Sequence, residues 1–355
     1  MKPKNIVLLA LFALAVFVSA GFSDTAAING VYDNPDNFHF AVMGDRTGKE
    51  QKGVYSYVIG QMNLIRPAFV ISVGDNIQGY TDDSNAVNKM WDEYDTLISA
   101  LKVPFLHIPG NHDTSNDMMA EIYKKRFGQM YYHKIYRNVL FLFLNTDDPS
   151  AAIPYDLKMS LDKEKAALKQ MAKTNGYSFQ TLAAAQAYEQ RNRELTGGKM
   201  SDEQFAYFEK VLADAKNVRW TFVIMHKPMW RQNNPNANWL KLENLLAARP
   251  YTVFAGHEHL NTYTQKNGRD YIVLSSSGAG GLPTMLPGVY QHTLWVTMDG
   301  NEPLIANLLS DGILKKDDIR SFGSLAIDAN AADANVSDTS KQMMDLLDKY
   351  NGNKK

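Results

Sequence analysis

The chain contains no cysteine. That excludes disulfides, thiolate metal ligands and lipid attachment through a cysteine, so an exported form depends on its core for stability. There is also no surplus of charge. A formal net charge of −1 gives no basis for a nucleic-acid polymer or other polyanion as partner. Internal repeats are absent. The one long apolar run, Ile6 to Val18, is shorter than the roughly 20 residues a membrane-spanning helix needs. It follows Lys2 and Lys4 and leads into Val18-Ser19-Ala20. This reads as a signal peptide over 1–20, cut after Ala20. The expectation is therefore an exported, periplasmic or secreted protein, with no stable membrane insertion after cleavage.

What is present is ordinary globular material: 355 residues, 45% hydrophobic and 21% charged. That suffices for one large domain or two small ones. Residues 21–37 are polar and turn-rich and read as a linker. Apolar strand-like runs then start at Phe38, Ala68, Val103, Val139, Trp220 and Tyr251, with further strands at 271–274 and 293–298. Helical periodicity appears at 53–65, 86–101 and 117–127, and Ser201 followed by Asp202 and Glu203 reads as a helix start. Strands alternating with helices predict an α/β domain over 38–315 with a largely parallel sheet. Residues 149–199 lack the short β-branched runs seen elsewhere. They read as a helical insertion with helices near 160–172 and 179–195. The insertion leaves the strand that ends at Asn145, either to restrict substrate shape or merely to stabilise the surface. Residues 316–355 read as a tail ending in a helix at 339–350.

The polar residues that end these runs carry the chemistry. Asp45, Asp75, Asn111, His226, and His257 with His259 each fall within a few residues of an apolar run's C-terminal end. In α/β sheets that is where ligands bind. Carboxylate, amide oxygen and imidazole together suit Mn, Fe or Zn, with Mg a weaker candidate. Asp75 can bridge two ions, one per oxygen. If 257–259 is extended, His257 and His259 point the same way and can serve adjacent ions. His112, in Gly110-Asn111-His112-Asp113, can deliver a proton. Arg46 is a candidate substrate-binding residue beside Asp45, with Asn111 another. Lys227 and Arg231 read as solvated surface charge. His39 and His107 read as satisfied core histidines.

The order Gly44-Asp45, Gly74-Asp75-Asn76, Gly110-Asn111-His112-Asp113, His226 and Gly256-His257-Glu258-His259 resembles the calcineurin-like metallophosphoesterase family. The resemblance spans about Phe38 to Met298. It implies an α/β, four-layer α/β/β/α sandwich, with a helical insertion here, and two divalent or trivalent metal ions. Asp75, Asn111, His226 and His257 would hold one ion, and Asp45, Asp75 and His259 the other. The implied activity is hydrolysis of a phosphoric monoester or diester by a metal-activated hydroxide. His112 would act as general acid, with Asp113 orienting its ring. The implied substrate is a small-molecule or headgroup phosphoester. The alternative is a non-catalytic, metal-containing protein that binds a phosphorylated ligand. One departure supports that alternative. The family's first motif is Asp-x-His, but here the third position is Thr47. The purple acid phosphatase branch instead places a Tyr three residues after the bridging Asp, where this chain has Gln78. Thr47 and Gln78 are neutral oxygen donors, weaker for these metals than imidazole or phenolate. The Asp45–His259 ion is therefore expected to be the weaker.

Overall fold

Strand β1 (Phe38–Met43) is almost continuously buried, as a strand covered on both faces must be. Helix α1 (Val54–Ile65), β2 (Val70–Ser72), α2 (Ser84–Ser99), β3 (Phe105–His107) and α3 (Asp117–Phe127) follow. Then come β4 (Tyr132–Tyr136), β5 (Val139–Phe143) and α4 (Tyr155–Asn175), which lies in the insertion. Helix α5 (Asp202–Asp214), β6 (Trp220–Ile224), α6 (Ala237–Leu246), β7 (Tyr251–Ala255), β8 (Thr262–Lys266) and β9 (Arg269–Val273) precede a meander of β10 (His292–Asp299), β11 (Glu302–Leu309) and β12 (Ile313–Lys315). This computed structural model describes residues 36–149, 155–175, 197–282, 287–310 and 312–319, with scattered positions between 178 and 188. The signal peptide, nearly all of the linker, most of the insertion's second helix and the tail helix lie outside the described residues.

Two six-stranded sheets result, ordered β12-β11-β10-β1-β2-β3 and β4-β5-β6-β7-β9-β8. The expectation of a largely parallel sheet needs correcting. The pairs β1–β2–β3 and β5–β6–β7–β9 are parallel. The remaining pairs are antiparallel. Short hairpins impose this at β4–β5 and β8–β9. Arg137 and Asn138 join β4 to β5 with positive φ at both, as do Asn267 and Gly268 between β8 and β9. Two such residues turn the chain straight back. Helix α6 and strands β4, β8, β11 and β12 had no clear sequence signal. Several are partly exposed edge strands, such as β4 (Tyr-His-Lys-Ile-Tyr), without a solid apolar run.

The sheets face each other across aromatic side chains. Phe40 meets Phe141 at 5.2 Å and Phe222 at 4.9 Å between ring centroids, both edge-to-face. Outside the first sheet, Tyr55, Val58, Trp91, Tyr94, Met119 and Tyr123 of α1–α3 pack on Ala41, Met43 and Val70. Outside the second, Phe208, Leu212, Trp239 and Leu242 of α5 and α6 pack on Leu140, Val223 and Val253. The layers are thus α/β/β/α, the four-layer sandwich that the resemblance implies. Helix starts are capped by short polar side chains: Asp83 for α2, Asn116 for α3 and Ser201 for α5 each accept an N–H of the first turn.

Candidate metal centre

The loops after β1, β2, β3, β6 and β7 meet at one edge of the sandwich. Asp75, His226 and His257 offer ligand atoms within 4.8 Å of one another, and so do Asp45, Asp75 and His259. Asp75 belongs to both groups. Asp45 and His226 are fully buried and Asp75 nearly so.

Backbone geometry sets these side chains. Asp75, His257 and His259 all have positive φ, at 54°, 74° and 53°. For residues other than glycine this costs about 1–3 kcal/mol each and marks functional loops. It also corrects the reasoning from an extended 257–259 segment. His257 and His259 occupy a left-handed turn, and each reaches its own group from there. Two glycines make room for the carboxylates. A Cβ on Gly110 would lie 2.2 Å from Asp75 Oδ1, and one on Gly256 2.2 Å from Asp45 Oδ1. The His112 N–H then donates to Asp75 Oδ1 at 2.9 Å, and the His257 N–H to Asp45 Oδ2 at 3.0 Å.

Carbonyl groups fix the rings. His226 Nδ1 lies 2.9 Å from Val73 O, His259 Nδ1 2.8 Å from Gly280 O, and His112 Nδ1 2.7 Å from Gln78 O. A carbonyl oxygen only accepts, so each Nδ1 carries a proton and each Nε2 faces the site. His226 Nε2 lies 3.0 Å from Asn111 Oδ1 and 3.3 Å from Asp75 Oδ1. His259 Nε2 lies 3.1 Å from Asp45 Oδ2. Electron pairs at these distances repel unless a cation lies among them. Among the described residues neither carboxylate has a lysine or arginine partner. A proton can serve in part. Burial pulls His226 down, but the Asp75 carboxylate more than offsets this and raises it to about 9. His257, buried and facing His226, is held well below the usual imidazole range. Convergent, otherwise unpaired acceptors of carboxylate, amide and imidazole type fit the metal ions that the resemblance implies.

Several expectations change. Asp113 does not orient the His112 ring, because the Gln78 carbonyl does. Asp113 is fully buried and accepts the N–H groups of Asn76, Ile77 and Gly110 and the Asn76 side-chain amide, at 2.8–3.0 Å. Burial and the nearby Asp75 charge push its carboxyl up to about 7, against these donors. It fastens the Asp75 loop to the Asn111 loop. Arg46 is partly engaged within its own loops. Its guanidinium donates to Asn76 O and Glu50. The Thr47 hydroxyl lies 3.0 Å from Asp75 O and 2.8 Å from Ile77 O, so its proton serves the loop backbone. Gln78 is exposed. Lys227 and Arg231 are not solvated charges: Lys227 pairs with Asp147 and Arg231 with Glu258, all largely buried. Trp239 is core, and Trp230 packs on Tyr271. His39, His107 and His133 contact Thr297, Tyr123 and Tyr207, away from the centre.

Sequence reading missed the three carbonyl groups, which carry no side-chain signal. It left Tyr80 open between lining a substrate cleft and plain packing, and did not foresee that its hydroxyl accepts the Asn111 amide at 2.8 Å. The base of the insertion lies close by, where Asp147 bridges to Lys199 and the Lys227 N–H donates to Thr146.

A family profile described as calcineurin-like phosphoesterase matches residues 38–261. That span contains every candidate ligand and over half of the chain, so the protein belongs to the calcineurin-like phosphoesterase family. Membership implies a dinuclear metal centre. Among solved structures, a dimetal phosphatase from Danio rerio is similar at 16% identity, covering 76% of this chain and 98% of its own, with a TM-score of 0.48. Purple acid phosphatase from yellow lupin shares 13% identity over 84% of this chain and 56% of its own, with a TM-score of 0.49. No curated protein matches the sequence.

Proposed function

We propose that this protein is an exported, metal-dependent hydrolase of phosphoric esters, acting on a small-molecule or headgroup phosphoester rather than on nucleic acid. The observation that carries the reading is the convergence of ligand atoms in the two groups that share Asp75, with His112 beside them. Asp75, Asn111, His226 and His257 would hold one ion, and Asp45, Asp75 and His259 the other. When bound, such ions lower the pKa of water and offset phosphoryl charge.

The chain's own residues supply the rest. His112 Nε2 lies 3.9 Å from Asp75 Oδ2, with its side chain 17% exposed. It is therefore near the ligands yet open to substrate. Water attacks phosphorus, the ester P–O bond breaks, and the departing oxygen takes the proton on Nε2. Gln78 O holds the ring in place during that transfer. Asn111 points its amide oxygen at the first group, because its NH2 is engaged by Tyr80. Aryl monoester and diester substrates, assayed with Mn, Fe, Zn and Mg each supplied, test the reading. Release of p-nitrophenol with at least one metal is expected. No turnover with any of them, alongside retained phosphate binding, would favour the non-catalytic alternative.

A further inference from the structure

Tyr80 is held unusually for a large side chain. Its φ is +53°, and it follows Gly79 at +56°. A Cβ on Gly79 would lie 1.7 Å from the His112 carbonyl oxygen. Only glycine allows the two loops to come this close. The result sets the Tyr80 ring edge-to-face against the His112 imidazole, with centroids 4.7 Å apart. The residue is 52% exposed, yet its hydroxyl turns inward to the Asn111 amide. That amide donates, so the phenolic oxygen is the acceptor. Among the described residues the phenolic proton has no acceptor of its own. A phenol keeps its proton at neutral pH, so this hydroxyl is a donor. A half-exposed ring held in a costly conformation, with a spare proton between the general acid and a metal ligand, is poorly explained by packing alone.

We propose that Tyr80 is a substrate-binding residue: its O–H donates to a non-bridging phosphoryl oxygen, and its ring forms the wall beside the leaving group. This deepens the hydrolase reading and rests on it for the nature of the ligand, though it is tested without turnover. The probe is inorganic phosphate, titrated into full-length protein loaded with Mn. Tyr80→Phe keeps the ring and removes only the hydroxyl. It should weaken phosphate binding about tenfold, the ordinary loss for one hydrogen bond to a charged group. KM for an aryl phosphate should rise similarly, with bound metal and thermal midpoint unchanged. Tyr80→Ala should lose at least as much phosphate affinity. Equal phosphate affinity in wild type and Tyr80→Phe overturns the proposal. So does a parallel fall in bound metal, because Tyr80 would then only position Asn111. Failure of the wild type to bind phosphate overturns it as well. Absence of turnover with phosphate binding weakened by Tyr80→Phe breaks the hydrolase reading alone.

Discussion

The two halves of the metal centre share Asp75 but are built differently. Around His226 the ligand atoms come from four loops, with Asn111 and His257 adding to the carboxylate and the buried imidazole. The Asp113 carboxylate ties the Asp75 and Asn111 loops together from behind. Around His259 the described ligands are two carboxylates and one ring. The position where the family supplies a further imidazole is Thr47, whose hydroxyl serves backbone carbonyls instead. The loop that supplies Asp45 thus adds no imidazole at Thr47, and the difference predicts unequal affinity.

The largest expected effect separates ligand from acid on the His226 side. His112→Ala should lower turnover roughly 10²–10⁴-fold while leaving bound metal near wild type. His226→Ala should strip metal, and turnover with it. Metal analysis beside single-turnover assays decides this; metal loss in His112→Ala would remove its role as acid. The second effect concerns the weaker half. Dialysis against a mild chelator should remove about one ion first, leaving the other. Thr47→His should retain more metal, at some cost in stability from the lost hydroxyl contacts. Equal retention of two ions by the wild type would break the comparison.

A third effect probes the tie behind the stronger half. Asp113→Asn turns an NH2 toward N–H donors and should cost about 2–4 kcal/mol in urea unfolding. It should also loosen the His226-side ion. The smallest effect lies behind the weaker half. His292 Nε2 accepts the Ser275 N–H, and Ser275 Oγ donates to His259 O. Burial lowers the His292 pKa from 6.5 to about 4. A lowered folded-state value means the unfolded chain takes up the proton first. Stability is therefore full above pH 6.5 and is lost as pH falls toward 4, by roughly 2–3 kcal/mol. His107, likewise lowered to about 4 by burial, contributes in the same window. Comparing His292→Gln with wild type at pH 7 and pH 4.5 isolates the His292 share. Equal acid losses in the two would exclude it.

Much of this was legible because the ligands are strand-end side chains after apolar runs. Asp45, Asp75, Asn111, His226, His257 and His259 could be picked out from position alone. The edge strands were not legible, since partial exposure erases the solid hydrophobic run by which a buried strand is recognised. Nor was the job of Asp113, because adjacency in sequence to His112 says nothing about which neighbour its carboxylate faces. The ring-holding carbonyls of Val73, Gln78 and Gly280 are invisible to any residue-type argument. The buried pairs of Lys227 and Arg231 depended on acids 80 and 27 positions away.

Those carbonyls have a consequence for how the protein comes by its ions. The folded backbone sets the tautomer and orientation of His226 and His259 through the carbonyls of Val73 and Gly280. Little ordering entropy remains to be lost on chelation. Metal uptake should therefore be the late filling of a finished vessel, unlike small metal domains that fold only around their ion. Such a chain can complete its sandwich first and collect metal afterwards.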